Sequence, residues 1–164
     1  MSDAKVINQE AAEDRADVVV RPPSLWFALV AAGYGLDWLV PLSFVPNRWP
    51  NIWIGALLFA AGLVLAIWAF RQFKNFRGDV DTHTPSSALV DSGPFAFSRN
   101  PIYCAMFLSL IGAAVAADTL WIVATLVIWY PVMRHGVIGR EEEYLERRFG
   151  NAYTEYKSRV RRWI

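Results

Sequence analysis

Leu-Val-Asp-Ser-Gly-Pro-Phe-Ala-Phe-Ser-Arg-Asn-Pro-Ile-Tyr, residues 89–103, is a polar, turn-rich segment set between two long apolar runs. Read as the punctuation between two helices, it makes the chain a helical membrane bundle with a polar site at one end. Gly93-Pro94 is a turn signal, because glycine accepts positive φ and proline presets its own. Asn100-Pro101 reads as a helix start, with Asn100 as N-cap and Pro101 at the first helical position, where its missing N–H is not needed. The first turn is then expected to aim free N–H groups and the positive end of the helix dipole at whatever lies beside Arg99 and Asn100. Such an arrangement suits a carboxylate or another anionic group.

Downstream, the apolar runs 102–117 and 120–132 are separated only by Asp118-Thr119. Each is short for a full span, so they read as an antiparallel helical hairpin that is tilted or sits in thin bilayer. Upstream, residues 51–70 form a span without a charge, and Gly55 and Gly62 share a face that permits close helix packing. Residues 24–45 are long enough to cross a bilayer. Asp37, just before Pro41, reads there as an interfacial residue. Pro46-Asn47-Arg48-Trp49-Pro50 is a tight turn carrying an interfacial Trp.

The composition agrees. Of 164 residues, 55% are hydrophobic and 15% aromatic, with eight Trp, which is too apolar for a soluble chain of this size. Residues 1–20 are polar and acidic, without an apolar period or the pattern of a cleavable signal, and read as a disordered or loosely attached tail. In a four-helix layout every Lys and Arg except Arg48 falls on the side shared by both termini. The positive-inside rule makes that side cytoplasmic. The expected fold is therefore all-α and polytopic, with four transmembrane helices at about 24–45, 51–72, 101–117 and 120–149. A C-terminal hairpin, a cytoplasmic C-terminal helix and one domain over 21–164 complete it.

The loop 78–92, with His83, Pro85, Ser86 and Ser87, is too long for a hairpin turn, and such loops are often functional. Cys104 lies just inside an apolar run and reads as a packing residue. Two His and one Cys, widely scattered, make a structural metal site unexpected. After the last span, Gly139-Arg140-Glu141-Glu142-Glu143-Tyr144-Leu145 continues as a helix to Phe149, capped by Gly150. At about 100° per residue, Ile138, Leu145 and Phe149 form one stripe. Glu141 and Glu142 border that stripe and Glu143 points away. On spacing alone these carboxylates pair with Arg147 and Arg148; beside the cationic helix start they suggest a ligand carrying both an anionic and a cationic group. S-adenosylmethionine is one such ligand, while ATP or a lipid headgroup would also use Arg99. No glycine-rich phosphate loop or dinucleotide fingerprint is present.

Two patterns carry a resemblance. Leu-Val-x-Ser-Gly-Pro-Phe-x-x-x-Arg-Asn-Pro-Ile-Tyr (89–103), followed by Ile-x-x-Glu-Glu-x-x-Leu-x-x-x-Phe-Gly-x-x-Tyr-x-x-Tyr (138–156), resembles the isoprenylcysteine carboxyl methyltransferase and phospholipid methyltransferase family. The resemblance covers about residues 80–162. It implies an S-adenosylmethionine site at the cytoplasmic surface, closed by the C-terminal helix, with a lipophilic acceptor entering from the bilayer. Position by position, cofactor contacts would fall on Ser87, Ala88, Leu89, Val90 and Phe95, then on Asn100, Pro101, Ile102, Tyr103 and Glu141. Arg99 would position the cofactor, and Arg140 and Glu142 are the candidate catalytic residues. Three positions depart from the carboxyl-methylating members: Asn100 stands for the usual His, Phe95 for Tyr, and Val137 for an acceptor-binding Arg that Arg134 or Arg140 would replace. His135 is a candidate base for an acceptor that must lose a proton, and Tyr153 and Tyr156 are expected as interfacial anchors.

The function expected is transfer of a methyl group to a lipophilic acceptor, isoprenylcysteine carboxylate-like or phospholipid-like, without metal or nucleic acid. A small thiol or a quinone-like acid is also open as acceptor. The alternative is a non-catalytic membrane module binding anionic lipid or a protein partner through its basic rim. A sterol-type reductase shares the Gly-Pro and Asn-Pro region but calls for a longer chain.

Overall fold

The computed structural model of the protein describes residues 18–45, 48–78 and 89–164, with side chains described for all but residues 48–50 and 76–78. The acidic tail before residue 18, the Pro46-Asn47 corner, His83, Pro85, Ser86, Ser87 and Ala88 lie outside the described residues. Everything described is helix, turn or extended connection, with no strand among the described residues.

Helix α1, Pro22–Leu39, starts on two prolines, whose preset φ suits a first turn. The sequence run continues to residue 45, but the helix stops at Leu39. Pro41 disfavours helical backbone at the residue before it and has no N–H for the next turn. Residues 40–45 are instead tied to the far end of the hairpin. Asp118 Oδ1 accepts from the amides of Phe44 and Val45 at 3.0 and 2.9 Å, and the Leu120 amide donates to the Leu42 carbonyl at 2.8 Å. Asp37 accepts from the Leu42 amide at 3.3 Å, a local capping role.

Helix α2, Arg48–Gly78, is 31 residues long and outruns its expected limits at both ends. It lies antiparallel against α3, Pro101–Ala117, in the most extensive pairing of the bundle. Glycine makes this approach possible. A Cβ on Gly112 would stand 2.5 Å from the Phe59 nitrogen, and one on Gly62 would stand 2.8 Å from the Ala105 carbonyl oxygen. Gly55 is pressed directly on the Ala116 backbone, as its face-sharing with Gly62 implies.

Asp118, in the left-handed region at φ 51°, turns the chain, and the Thr119 side chain caps α4, Leu120–Pro131, by accepting from the Trp121 amide. A π-helical segment, Val132–Ile138, follows Pro131 and runs into α5, Gly139–Phe149. Proline cannot donate to the preceding turn, and widening of the helix there is a recognised response to such a defect. Gly150, at φ 52°, breaks α5 from α6, Asn151–Arg159. Leu110, Ala114, Ile122, Trp129, Met133, Val137 and Ile138 form the buried core, joined by Leu29 of α1.

Residues Asn51–Asn75 and Leu120–Phe149 are each long and apolar enough to cross a membrane. Many large apolar side chains face outward, including Trp38 at 86% and Val127 at 76% exposure.

Candidate functional site

The site is built from three pieces of chain: the 3-10 turn Gly93–Ala96 with the start of α3, the first turn of α5, and the segment after α6. The turn is anchored locally. Gly93 adopts φ 61°, Ser92 Oγ accepts from Gln72 Nε2 at 2.8 Å, and Pro94 is buried. This fixes where residues 98–103 enter the bundle.

Asn100 sits where a cap belongs, and its carbonyl accepts from the Tyr103 and Cys104 amides, both at 3.0 Å. Its side chain does not cap. Asn100 Nδ2 donates to the Arg162 carbonyl at 2.9 Å, while Ser98 Oγ accepts from the Asn100 amide at 3.1 Å. The expected open anion site at the start of α3 is therefore occupied from within. The Arg99 amide donates to the Arg161 carbonyl at 2.9 Å, and Ser98 Oγ donates to the Arg162 carbonyl at 3.4 Å.

Arg99 is likewise engaged. Its Nη1 donates to the Lys157 and Val160 carbonyls at 2.9 and 3.3 Å, and its Nη2 meets Glu142 Oε1 at 2.9 Å. Glu142 is gripped from the other side by Arg162, with Nε on Oε1 at 3.1 Å and Nη2 on Oε2 at 2.6 Å. The side chains of Arg99 and Glu142 are 9% and 7% exposed. Such an ion cluster is favourable only because each charge is both paired and hydrogen-bonded. The Glu142 carboxylate holds the Arg162 guanidinium proton more tightly than usual.

Glu141, one residue earlier on the same turn, has a different environment. Half-buried, it accepts a 2.7 Å hydrogen bond from the Tyr103 hydroxyl. Among the described residues no cation neutralises it. Neither glutamate uses Arg147 or Arg148 as a local acidic face would. Glu143 is exposed, as its angular position requires.

The other expected residues fall as follows. Leu89, Val90 and Ile102 are half-buried and Pro101 is buried at the head of α3. The Phe95 carbonyl accepts from the Tyr156 hydroxyl at 2.7 Å. Tyr153 and Tyr156, expected as interfacial anchors, are instead buried, with rings 6.1 Å apart. Burial pushes the Tyr156 phenol up to about 12 and Tyr153 higher still. Arg140 is exposed at the head of α5, as is His135 in the π-helical segment. Val137 is fully buried among Met133 and Ile138. Arg134 is exposed, with Nη1 2.8 Å from the Tyr130 hydroxyl and its guanidinium over that ring. The half-buried Cys104 thiol lies 3.5 Å from Ser98 Oγ.

The participant missed at sequence level is the C-terminal segment itself. Arg162 is one of several cations read as a basic flank, and no spacing rule connects it to Glu142, 20 positions earlier.

Residues 50–152 match the phospholipid methyltransferase family. The chain belongs to that family. Curated relatives extend the likeness. The cobalt-zinc-cadmium resistance protein CzcN of Cupriavidus metallidurans is 25% identical over 131 residues, covering 76% of this chain and 55% of that protein. The nickel-cobalt-cadmium resistance protein NccN of Alcaligenes xylosoxydans xylosoxydans is 25% identical over 122 residues, 74% of this chain and 56% of its own. An uncharacterized protein of Haemophilus influenzae is 42% identical over 64 residues, its whole length and 36% of this chain. The chain spans about half the length of the first two relatives. No solved structure matches. The matched region covers both glutamates and the Arg99 to Tyr103 segment, while Arg162 and the rest of the segment after α6 lie beyond it.

Proposed function

We propose that this family member is an integral membrane methyltransferase that moves a methyl group from S-adenosylmethionine to a lipophilic acceptor, isoprenylcysteine carboxylate-like or phospholipid-like. The observation that carries the reading is the Tyr103–Glu141 pair. A half-buried carboxylate, oriented by a phenol and with no cation paired to it among the described residues, is suited to receive one, and S-adenosylmethionine carries an ammonium and a sulfonium. The buried Arg99–Glu142–Arg162 cluster beside it gives that carboxylate a rigid mounting.

When bound, the donor supplies an electrophilic methyl carbon: the acceptor nucleophile bonds to it as the carbon–sulfur bond breaks, and the electron pair stays on sulfur. In-line displacement needs mainly positioning and exclusion of water. The residues divide accordingly. Glu141 and Tyr103 bind and orient the donor's cationic end, and Ile102, Leu89 and Val90 border it with apolar surface; Ser87 and Ala88, outside the described residues, are further proposed donor contacts. Glu142, expected as catalytic, becomes a positioning residue because both of its oxygens are taken by guanidinium groups. Arg99, Asn100 and Phe95 serve through the chain segments they fix. Arg140 and Arg134, both exposed, are the cations at hand for an acidic acceptor. The buried Val137 offers that acceptor no charge.

Four spans, α1, α2, α3 and the α4 to α5 helix, suit the outward apolar faces. Both termini would lie on the cytoplasmic side, after a tail over residues 1–20. Membranes containing the protein, incubated with methyl-labelled S-adenosylmethionine and then separated into lipid, protein and volatile fractions, test the reading. Label in one fraction that depends on Glu141 supports it and names the acceptor class. No transfer and no donor binding by the purified protein would refute it.

A further inference from the structure

Residues 160–163 lie beyond the part of the chain matched by the family, yet each of their four carbonyls meets a donor on residues 99–104. After α6 ends, Val160 turns extended at φ −116° and ψ 132°, and the backbone runs back across the start of α3. The carbonyls of residues 160, 161, 162 and 163 meet, in order, Arg99 Nη1, the Arg99 amide, Asn100 Nδ2 and the Cys104 thiol, at 3.3, 2.9, 2.9 and 3.8 Å. At the end of this strap the Trp163 ring stacks on Tyr130, centroids 6.0 Å apart, and packs against the core. Arg162 sends its fork the other way, onto both oxygens of Glu142.

The strap thus ties α3 to α4 and α5. Glu142 and Glu141 are neighbours on one helical turn, so the two-oxygen grip on Glu142 limits how α5 can rotate. The same rotation sets where Glu141 points. We propose that the strap is the element that sets the donor site, with Arg162 as a positioning residue that acts through Glu142 to hold Glu141 against Tyr103. This rests on the reading of Glu141 as the donor's anchor.

An opposite role is an internal plug that covers the start of α3 and must leave before the donor enters. The contacts favour the positioning role. Lifting the strap would not release Arg99, since Glu142 holds it in any case, and would leave Ser98, Arg99 and Asn100 donors without their partners.

The test uses the full chain in detergent, with S-adenosylmethionine and S-adenosylhomocysteine as calorimetric probes and hydrogen exchange at the Arg99 amide as a direct reading of the strap. Arg162→Ala should weaken both probes by at least about tenfold and speed exchange at Arg99. Arg162→Lys should fall between, because an ammonium cannot make the two-oxygen fork. Added low guanidinium should restore part of the lost affinity in Arg162→Ala, which general destabilisation would not allow. Wild-type protein that binds with Arg162→Ala binding equally or more tightly overturns the inference and leaves the methyltransferase reading intact. Wild-type protein that binds neither probe overturns both.

Discussion

Tyr103 and Glu141, 38 positions apart, meet through a 2.7 Å hydrogen bond that joins the first turn of α3 to the first turn of α5. The bond closes the two ends of the α3 to α5 hairpin on each other. Among the described residues no cation pairs with this carboxylate.

Tyr103→Phe removes only the orienting hydroxyl and should weaken S-adenosylmethionine binding by about three- to tenfold, the ordinary net worth of one hydrogen bond. Glu141→Gln removes the charge and should cost more than Tyr103→Phe. Calorimetry on the two variants checks the order. Unchanged affinity in both would move the donor to another part of the molecule.

Breaking the buried ion cluster should cost stability by a different scale. Glu142→Ala leaves the buried Arg99 guanidinium uncompensated and should destabilise the protein by about 3–5 kcal/mol, whereas Arg99→Ala should cost less because Arg162 still grips both Glu142 oxygens. Arg162→Ala should cost less, since its side chain is 31% exposed against 9% for Arg99. The Arg99→Ala, Glu142→Ala double variant should lose far less than the sum of the two, because the second change removes the charge stranded by the first. Thermal unfolding in one detergent, with the four variants side by side, measures this; simple additivity would contradict the cluster.

The α2–α3 contact predicts opposite outcomes for two glycines. Gly112→Ala forces a methyl to within 2.5 Å of the Phe59 backbone nitrogen and should destabilise by about 1–3 kcal/mol. Gly35→Ala in α1 meets nothing within 4 Å and should be neutral or stabilising by up to about 1 kcal/mol. Equal unfolding temperatures for the two variants would mean that α2 and α3 are not in close backbone contact.

Alkaline pH should release the C-terminal region first. Burial raises the Tyr156 phenol from its ordinary 10.0 to about 12, so the folded chain holds this proton more tightly than the unfolded one. The resulting stabilisation is full below pH 10 and declines as pH rises from 10 through 12; Tyr153 shifts in the same direction. The Tyr156 hydroxyl donates to the Phe95 carbonyl, so its ionisation also breaks the tie between α6 and the 3-10 turn. Tyrosinate absorbance followed alongside unfolding should show a delayed step that Tyr156→Phe removes. Tyrosines that all titrate near 10 would show that α6 is not docked.

Much of the fold was legible because it depends on local or one-dimensional facts. Apolar run length sets which segments can be long buried or lipid-facing helices. Asn100-Pro101 marks a helix start whatever the rest of the chain does. The seven-residue spacing of Gly55 and Gly62 marks a face narrow enough for backbone contact, and the angular offsets of Glu141, Glu142 and Glu143 separate the inner pair from the outer one. Where local rules were overridden, a distant partner was responsible. Asn100 looks like a self-sufficient cap, but its side-chain Nδ2 donates to the Arg162 carbonyl, 62 positions on. Tyr153 and Tyr156 look like interfacial anchors, but both are buried, with rings paired and the Tyr156 hydroxyl on the Phe95 carbonyl of the 3-10 turn.

By itself, then, the sequence determined the helices, their order, the glycine seam and the presence of two inward carboxylates, because propensity, periodicity and chain breaks act over a few residues. Only the tertiary structure decided how charge is shared among them. Arg99 and Arg162 both go to Glu142, while Glu141 takes the Tyr103 hydroxyl, since pairing between residues 20 and 43 positions apart depends on which chain ends the fold brings together.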